Sequence, residues 1–502
     1  MITEDEVKRA TALLEEILAS PGVLASVPED VRRALLAAAG RVARPDRLEQ
    51  ARVHAGFRRM KQQQRLERDR EARATSQIRV ARQAEVFAAP PLLEGPAGER
   101  PRLSKPQYCY VCKAEYLEVH PFYDAMCAPC AELNYAKRFQ TADLTGQVAL
   151  VTGGRVKIGY HIALKVLRAG ARVIVTTRFP RDAAARFARE DDFAQWGGRL
   201  QIHGVDLRHA PSVELFARWL AGSLDRLDLL INNACQTVRR PPGFYEHLLA
   251  LEEGNLEVLP EAARGLVRDH ERCKGELLEA AGGGGETALV TRWQGTRTGV
   301  GVLASARLSQ VPYASDGELE AREVFPAGRL DADLQQVDLR VNNSWRLTLA
   351  EVPTPELLEV HLVNAVAPFI LCGRLRALMA KDRTNEKHVV NVSAMEGKFT
   401  RGTKTDKHPH TNMAKAGLNM MTLTSAPDFA QDGIWMNAVD TGWVTDEDPA
   451  VHATRKTRDL DFQPPLDVVD GAARVCDPFF AGLLSGTHPW GKFFKDYAPT
   501  DW

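Results

Sequence analysis

Residues 147–178 limit the possible folds of this chain more than any other stretch. The stretch contains an apolar run that ends in two glycines (QVALVTGG), a helical segment (YHIALKVLRAG) and a second apolar run (ARVIVTTR). Two apolar strands that are separated by one helix are typical of a βαβ unit, and such a unit has parallel strands. The sequence therefore predicts an α/β domain that is built on a parallel sheet.

Four further apolar runs extend this pattern along the chain. They are RLQIHGVDL, LDLLINNA, HVVNVSA and GIWMNAVD. Helical segments such as VELFARWLAGSL lie between them. This alternation predicts a doubly wound, Rossmann-like α/β sheet over residues 141–502.

The alternation is interrupted between about residues 237 and 345. The segment contains four consecutive glycines at 282–285, a short strand-like run (ETALVTRW) and several turns. We interpret it as a large insertion on the ligand edge of the sheet, because loops that leave the carboxyl ends of parallel strands gather there. A substrate lid and an oligomer contact both remain open for this segment.

The N-terminal residues 1–88 are predicted to be helical. Thr3 and Glu6 form a capping-box pattern, and a long polar helix is predicted from about residue 46 to 86. Residues 51–82 hold ten Lys and Arg against three acidic residues. That charge is compatible with an arm for a partner or a nucleic acid, but a solvated helix is the simpler interpretation.

A proline- and glycine-rich stretch at 89–106 predicts a linker, and a cysteine-rich module at 107–140 follows it. The module contains two CxxC pairs, which are Cys109 with Cys112 and Cys127 with Cys130. Two such pairs can close a tetrahedral shell of four thiolates, which suits a structural zinc ion. A closed shell leaves no open position for catalysis. We expect His120, between the pairs, to lie at the surface and not to be a ligand, and we expect the four other cysteines to be buried free thiols.

The bulk composition excludes several classes of protein. Lys plus Arg and Asp plus Glu both number 65, and 44% of the residues are hydrophobic, so the chain lacks an overall nucleic-acid signature. It contains no run of 18 apolar residues, and its N-terminus is acidic and lacks an apolar signal core. We therefore expect a cytoplasmic protein that does not span a membrane.

Sequence motifs at five places occur in a characteristic order. They are TGGRVKIG at 152–159, Asp206 with Leu207, the triplet Asn232, Asn233 and Ala234, then Asn364, and finally Lys415. In this order they resemble the motifs of the short-chain dehydrogenase/reductase family, and the resemblance covers residues 144–236 and 346–502. It implies a dehydrogenase fold, a nicotinamide dinucleotide, a small-molecule substrate and a homo-oligomer.

The resemblance also assigns roles to residues. Asp206 is expected to hold the adenine, Asn364 to be the active-site asparagine, and Lys415 to bind the nicotinamide ribose. The residues expected to bind the cofactor are Gly153, Arg155, Lys157, Ile158, Gly159, Arg178, Asp206, Leu207, Asn233, Ala234 and Lys415.

The physical chemistry of these segments agrees with a nucleotide. Gly153 and Gly159 allow the backbone to approach a pyrophosphate, whose charge the N-terminus of the next helix attracts. Lys157 stands where the family usually has glycine, and its ammonium either points away or meets a phosphate. The second strand ends in TTRFPR, a stretch with Arg178 and Arg181 and no acidic residue, which favours the 2′-phosphate of NADP(H) over NAD(H).

Of the serine, tyrosine and lysine that carry out proton transfer in the family, the first two are missing from this chain, and only Lys415 remains, together with Asn364. Ala394 stands at the serine position, with Ser393 one residue earlier, and Thr411 stands at the tyrosine position. A tyrosine has a pKa of about 10 and an aliphatic hydroxyl about 15.7. That difference corresponds to roughly 7–8 kcal/mol, so Thr411 is a poor acid or base although it can orient a carbonyl or a water.

Other side chains could supply the proton. His408 and His410 lie just before Thr411, and a histidine needs little tuning to act near neutral pH. Glu396 and Asp440 each follow a predicted core strand and are alternatives.

Three hypotheses follow from these motifs. The first is a divergent NADP(H)-dependent oxidoreductase whose proton comes from His410 or from a water held by Thr411 and Asn364. The second is an inactive dinucleotide sensor or scaffold that contacts a partner through the N-terminal helices, the zinc module or the insertion. The third, weakened by the neutral net charge, is a nucleic-acid-associated protein.

Overall fold

The computed structural model describes residues 3–92, 100–282, 299–313, 316 and 321–502. The chain divides into two compact units, Met1–Glu71 and Ala72–Trp502. Most of the glycine run, together with the predicted strand ETALVTRW, lies outside the described residues.

The N-terminal unit is helical, as predicted. Its helices are α1 (Glu4–Ala19), α2 (Glu29–Ala43) and α3 (Arg47–Ala74), the last of which ends in the larger unit. The predicted capping box is present, because Thr3 Oγ1 accepts a hydrogen bond from Glu6 N–H and the Glu6 carboxylate accepts one from Thr3 N–H. The long polar helix is shorter than predicted: a turn follows α3, and the short α4 (Gln77–Ala81) belongs to the larger unit.

The cysteine module begins earlier than the sequence indicated. Strands β1 (Arg102–Tyr108) and β2 (Glu115–Glu118) pair antiparallel, and α5 (Ala128–Phe139) follows them. The predicted linker at 89–106 is therefore wrong for its last five residues. They belong to β1, in which Arg102 pairs with Glu118 and an irregularity follows up to Gln107, and the proline among them is tolerated at the edge of this two-stranded sheet.

One sheet of eight strands forms the centre of the larger unit. Its strands are β3 (Val148–Thr152), β4 (Arg172–Thr177), β5 (Leu200–Gly204), β6 (Leu229–Asn232), β7 (Lys387–Ser393), β8 (Ile434–Asp440), β9 (Phe493–Lys495) and β10 (Ala498–Thr500). They lie in the order β10-β9-β8-β7-β6-β3-β4-β5, and all neighbours are parallel except β9 and β10. The order reverses direction at β3, which confirms the doubly wound α/β prediction.

Helices cover both faces of this sheet. They are α6 (Lys157–Arg168), α7 (Pro180–Phe187), α8 (Phe193–Trp196), α9 (Ala210–Ser223), α10 (Glu246–Glu253), α11 (Glu261–Leu266), α12 (Arg268–Gly282), α13 (Val300–Leu303), α14 (Ala321–Val324), α15 (Thr354–His361), α16 (Ala367–Met379), α17 (Pro409–Ala430), α18 (Ala450–Leu460) and α19 (Val468–Ser485). Ile162 of α6 and Phe479 of α19 pack in the core of one face. Phe216 of α9 and Leu371 of α16 pack in the core of the other.

One helical run passes the length and hydropathy test for a membrane span. It is Thr354–Met379, which joins α15 to α16 through a π-turn at Leu362–Val366. Half of its most apolar window is buried, and that side packs against α9 in the core. A core helix of a globular domain meets the same test, so the run is weak evidence for a membrane.

The described part of the insertion packs over the ends of β4 and β5. Phe244, Tyr245 and Phe325 of the insertion form a small apolar cluster with Phe179, which follows β4. The backbone N–H of Asp206, which follows β5, donates to the carbonyl of Gly301 at 2.8 Å. The insertion thus contributes side chains and backbone to the carboxyl edge of the sheet.

A buried ion pair fixes the cysteine module to the sheet domain, and it yields a stability prediction. Arg138 of α5 donates to Asp467 at 2.7 and 2.8 Å and to Asp470 at 3.1 Å, with 1% of its side chain exposed. Arg138→Met leaves both carboxylates buried without this partner, so we expect the free energy of unfolding in urea to fall by about 3–5 kcal/mol. Arg168→Met, at an exposed pair with Asp192, is the control and should cost less than about 1 kcal/mol. Equal losses in the two variants would contradict the prediction.

Candidate functional site

A cavity of about 1310 Å³ opens along the carboxyl ends of the parallel strands. Residues that follow β4 and β5 line one part, which we call the β5 end. Residues that follow β7 and β8 line the other part, which we call the β8 end. Ligands of doubly wound sheets bind in this position, at the point where the strand order reverses.

The turn between β3 and α6 lies between these two ends, and it is very tight. Gly153 has a φ of +69°, a conformation that favours glycine. A Cβ on Gly159 would lie 2.3 Å from the Gly153 carbonyl oxygen and 2.4 Å from Nδ2 of Asn233. Only glycine therefore fits there, and the first turn of α6 presents its backbone N–H groups to the cavity. Gly153, Arg155, Lys157, Ile158 and Gly159 all line the cavity, where the sequence placed them.

Lys157 has a left-handed backbone conformation, which favours glycine. Its φ is +55°, which costs an L-residue roughly 1–2 kcal/mol. Burial disfavours its charged form, but the carboxylates of Glu447, Asp333 and Asp331 outweigh burial and raise the pKa of Lys157. The ammonium is therefore charged inside the cavity, and Glu447 belongs to the loop that follows β8.

Arg178 reaches the cavity at the β5 end, whereas Arg181 does not. Arg178 donates to the Tyr245 hydroxyl at 2.9 Å and lies 4.7 Å from the centre of the Tyr245 ring. Burial disfavours the phenolate, but Arg178, Arg155 and Arg240 together lower the pKa of Tyr245. Arg181 instead donates to the backbone carbonyls of α10 and the residue after it. Tyr245 and Arg240 belong to the insertion, and the sequence alone did not indicate them.

Asp206 and Leu207 line the β5 end, but the Asp206 carboxylate already has a partner. Arg208 donates to both of its oxygens, at 3.0 Å from Nε and 2.7 Å from one terminal nitrogen. Burial opposes ionisation, yet Arg208 holds the pKa of Asp206 below its usual value. An adenine that hydrogen-bonds to Asp206, as expected, would therefore share the Asp206 carboxylate with Arg208.

Asn233 and Ala234 line the cavity beside the glycine turn. The side chain of Asn233 donates to the Thr152 carbonyl at 2.9 Å, and the Ala234 N–H donates to the Thr152 hydroxyl at 3.0 Å. These contacts join the ends of β3 and β6. Cys235, which we expected to be a buried thiol, is instead exposed and lines the cavity.

Asn364 lies behind the cavity wall, contrary to its expected direct role. Its Oδ1 accepts from the Gln236 N–H at 2.8 Å, and its Nδ2 donates to the Gln236 carbonyl at 3.2 Å. It lies in the π-turn, and it does not line the cavity, whereas Gln236 does. Both polar atoms of its amide are therefore engaged by the backbone of Gln236.

Lys415 and Thr411 lie on the cavity side of α17. The Lys415 ammonium donates to the carbonyl of Val392, at the end of β7, at 2.7 Å. The Thr411 hydroxyl is buried and has no hydrogen-bond partner among the described residues. Ser393 also lines the cavity, but its hydroxyl donates to Oδ1 of Asn419 at 2.5 Å and is thereby engaged.

The structure contradicts the prediction for His410. Its imidazole is buried away from the cavity, with Nε2 3.7 Å from Oε1 of Glu356. Consecutive residues of a helix point about 100° apart, so His410 cannot share the face of Thr411 and Lys415. His408 does line the cavity, where its ring stacks on Trp345 at 3.9 Å.

Asp440 is an acidic group at the β8 end. It ends β8, is 6% exposed, and its Oδ1 accepts from the backbone N–H of Met395 at 3.2 Å. Burial is the largest cause that raises the pKa of Asp440 to about 6, and the negative charges of Glu396 and Asp496 act in the same direction. The positive charges of Lys495 and Arg474 lower the pKa but do not outweigh burial. Met395 follows Ala394, so this carboxyl lies beside the position where the family has its serine.

The four cysteines of the two CxxC pairs come together. All four sulfur atoms of Cys109, Cys112, Cys127 and Cys130 lie within 4.8 Å of one another, so they could hold one metal ion. His120 is not part of the group. It is buried, not at the surface as expected, because its Nδ1 accepts from the backbone N–H of Phe122 at 3.1 Å.

The comparisons with known proteins agree with this architecture. A short chain dehydrogenase model matches residues 147–248, and a model described as enoyl-(acyl carrier protein) reductase matches residues 327–461. The chain belongs to the short-chain dehydrogenase/reductase family.

Its relatives leave the particular activity open. An uncharacterized protein of Acanthamoeba polyphaga mimivirus is 31% identical over 77% of this chain and 74% of its own length. A fatty acyl-CoA reductase of Acinetobacter baylyi is 33% identical over 20% of this chain, and the match spans 32% of its length. Dehydrogenase/reductase SDR family member 13 of Bos taurus is 38% identical over 20% of this chain and 27% of its own. Among solved structures, the active-site complex of Pseudomonas aeruginosa RhlG with NADP is similar to this chain, with a TM-score of 0.41 and 17% sequence identity. The match covers 70% of this chain and 95% of the RhlG chain.

Proposed function

We propose that the protein is an NADP(H)-dependent oxidoreductase that transfers a hydride to or from a carbonyl, imine or alkene. The observation that carries this proposal is the single cavity along the strand ends, which holds both the tight glycine turn and Lys415. Members of the family use these two elements to bind the phosphates and the nicotinamide ribose. The substrate itself is open.

The charges along the cavity support the phosphorylated cofactor. The glycine turn and the N-terminus of α6 offer backbone N–H groups to a pyrophosphate, and Lys157 adds a cation that lines the cavity beside them. At the β5 end, Arg178 donates to the Tyr245 hydroxyl, and the nearby charges of Arg155 and Arg240 also lower the pKa of Tyr245, so this positive region suits a 2′-phosphate. When bound, the nicotinamide supplies or accepts the hydride.

Asp440 is the group that we propose as proton donor. Its protonated carboxyl gives a proton to the substrate oxygen as the hydride reaches the carbon, and the carboxylate regains a proton from solvent. In oxidation the carboxylate accepts the hydroxyl proton. A pKa of about 6 suits both directions near neutral pH, and the Thr411 hydroxyl, which has no hydrogen-bond partner in the part of the chain that the structure describes, would orient the substrate or a water.

A structural zinc ion is part of the proposal. Four thiolates at CxxC spacing suit zinc in tetrahedral coordination, and the sulfur atoms are already close together. The closed shell stabilises the module and leaves no position for a substrate.

A second candidate is a protein that binds the dinucleotide without turnover. The observation that favours it is the pair Ala394 and Thr411, which stand where the family has its serine and tyrosine. Tight NADPH binding without any hydride transfer, in a broad screen of carbonyls and alkenes, would support this candidate. Contacts of a partner would then involve the N-terminal helices, the cysteine module or the insertion.

An apolar face supports a homo-oligomer. Phe369 of α16 is exposed at 66%, and Met413 and Met420 of α17 are exposed at 54% and 55%. The two methionines are seven residues apart, so they share one side of α17. A second copy of this chain is the proposed occupant, because family members usually pair through helices.

A cytoplasmic location also stays a proposal, supported by the absence of a disulfide among the described cysteines.

The first prediction concerns the cofactor. Arg178→Glu should weaken NADPH binding by about 10- to 150-fold, because a charged hydrogen bond to the 2′-phosphate is replaced by repulsion, and it should leave NADH nearly unchanged. The measurement is a fluorescence titration with each nucleotide. Arg189→Glu, the same change at an exposed site outside the cavity, is the control. Failure of the unmodified protein to bind either nucleotide would refute the proposed function.

The second prediction concerns the proton donor. Asp440→Asn should lower kcat by about 10²- to 10⁴-fold and leave the Kd for NADPH within about twofold. In the unmodified protein, reduction should slow as the pH rises through about 6, because the acid form is lost, and oxidation should speed up over the same range.

Glu396→Gln is the control for this assignment. Removal of its negative charge lowers the pKa of Asp440, so the pH profile should move to lower pH without a large loss of kcat. A pH profile that is unchanged in Asp440→Asn would exclude Asp440 as the donor.

The third prediction concerns assembly. Met420→Glu places a charge on the apolar face and should shift the protein toward a monomer in sedimentation velocity at micromolar concentration. Val258→Glu, at a site that is 70% exposed in the insertion, should leave the assembly unchanged. An unmodified protein that is already monomeric would refute the proposed interface.

A further inference from the structure

The first CxxC turn of the cysteine module forms part of the cavity wall. Tyr110 and Lys113, which flank Cys112 in this turn, both line the β8 end. The Tyr110 N–H donates to the Ala125 carbonyl at 2.9 Å, and the Lys113 ammonium donates to the Tyr110 carbonyl at 2.6 Å. The turn is thus built within the module, while its side chains reach the cavity of the sheet domain.

Tyr110 contacts the loop that follows β8. The Trp443 N–H donates to the Tyr110 hydroxyl at 2.9 Å. Gly442, with a φ of +76°, passes directly beside this hydroxyl, because a Cβ on Gly442 would lie 3.1 Å from Tyr110 Oη and 2.5 Å from Leu466. The loop is therefore enclosed between the cysteine module on one side and Leu466 on the other.

The same loop reaches the phosphate turn. We define the β8 loop as residues 441–449, all of which line the cavity. Its Glu447 is one of the carboxylates that act on Lys157, and Thr445 donates to Glu447 at 2.6 Å. A single short segment therefore connects the cysteine turn to the cation beside the glycine turn.

The rest of the module is fixed to the sheet domain without the help of a metal. Phe122 and Tyr123 pack with Val469 of α19, and the Tyr123 hydroxyl donates to Asp470 at 2.6 Å. The cysteine turn is closed by its own backbone, because the Cys109 N–H donates to the Ala114 carbonyl at 2.9 Å and the Lys113 N–H donates to the Cys109 carbonyl at 3.1 Å. Its Lys113 adopts a left-handed conformation, with a φ of +63°, and a metal ion held by all four sulfur atoms would tie this turn to Cys127 and Cys130.

We propose that the metal bound by the four cysteines is a positioning element of the cavity, which acts by holding Tyr110 against the backbone of Trp443. Tyr110 is the positioning residue, and the β8 loop is the segment that it positions. The inference rests on the proposed dinucleotide site and adds its regulation by metal occupancy. Because coupling between two sites is reciprocal, metal and dinucleotide raise each other's affinity by the same factor.

The first test measures hydrogen exchange in the full-length protein, with and without Zn²⁺, and needs no cofactor. We expect removal of Zn²⁺ to accelerate exchange in peptides that cover the β8 loop. Tyr110→Phe keeps the ring and the metal but removes the acceptor of Trp443 N–H, so it should accelerate exchange of that loop by about 2- to 13-fold at full zinc content. Unchanged exchange of the loop, either in zinc-free protein or in Tyr110→Phe, would overturn the proposal.

A matched control lies in the same module. The Tyr116 hydroxyl donates to the carbonyl of Asp124 at 2.8 Å, and Tyr116 does not line the cavity. Tyr116→Phe therefore removes a tyrosine hydroxyl from the module without touching the β8 loop. In this variant, hydrogen exchange of the β8 loop should equal that of the unmodified protein. If exchange of the loop instead accelerates as much as in Tyr110→Phe, the acceleration comes from general loosening of the module, and the proposal is overturned.

The second test measures the coupling. The Kd for NADPH should rise by about 5- to 150-fold when Zn²⁺ is removed, and NADPH should raise the affinity for Zn²⁺, measured by competition with a chelator, by the same factor. Equal NADPH affinity with and without Zn²⁺ would overturn the coupling. If neither the zinc-bound nor the zinc-free protein binds NADPH, the proposed function is refuted. If exchange of the β8 loop still slows when Zn²⁺ binds in that case, the positioning role of Tyr110 remains supported.

Discussion

The close approach of α6 to the ends of β3 and β6 is the constraint on which the rest of the site depends. The backbone of Gly159 lies so near the Gly153 carbonyl and the Asn233 amide that a single methyl group would overlap both. The Asn233 amide also bonds to the Thr152 carbonyl, so strand ends and helix start are joined in one small network. This network fixes the N-terminus of α6 at the cavity and with it the unusual conformation of Lys157. The strain in Lys157 is local, and three carboxylates around its ammonium offset part of it.

Features that depend on nearby residues could be predicted from the sequence. The sheet follows from apolar runs at regular intervals, the glycine turn from one motif, and the cysteine cluster from two CxxC pairs. The failures have a different cause. Tyr245 lies 67 residues after Arg178, and no periodicity in a long insertion shows that the two side chains meet. Asn364 occupies the expected helix, but only its bonds to Gln236 reveal that its amide has no free face toward the cavity.

His410 is a failure that the sequence could have avoided. Thr411 and Lys415 are four residues apart, and residues at that spacing share one face of a helix. The same geometry turns His410 away from that face, so its placement beside Glu356 follows from the periodicity that correctly grouped the other two. Asp440 is the opposite case. Its place after an apolar run predicted that it lies at the carboxyl edge of the sheet, but the sequence did not predict the burial and the neighbouring charges that raise its pKa. A carboxyl with a pKa of about 6 is a better proton donor near neutral pH than an aliphatic hydroxyl, which is why we propose Asp440 and not Thr411 as the donor.

A metal with a closed shell of four sulfurs cannot activate a substrate, so any influence on the reaction has to pass through the positions of protein atoms. The path available here is short: one tyrosine hydroxyl, one backbone N–H and a loop of nine residues (441–449) that ends near the phosphate turn. Asp440 immediately precedes this loop, and Glu447 of the loop acts on the pKa of Lys157, so a shift of the loop would change the surroundings of both the proposed proton donor and the Lys157 ammonium. The cysteine module contacts the loop that runs from Asp440 toward the phosphate turn, and this contact is the route by which we propose that metal occupancy acts on the cavity.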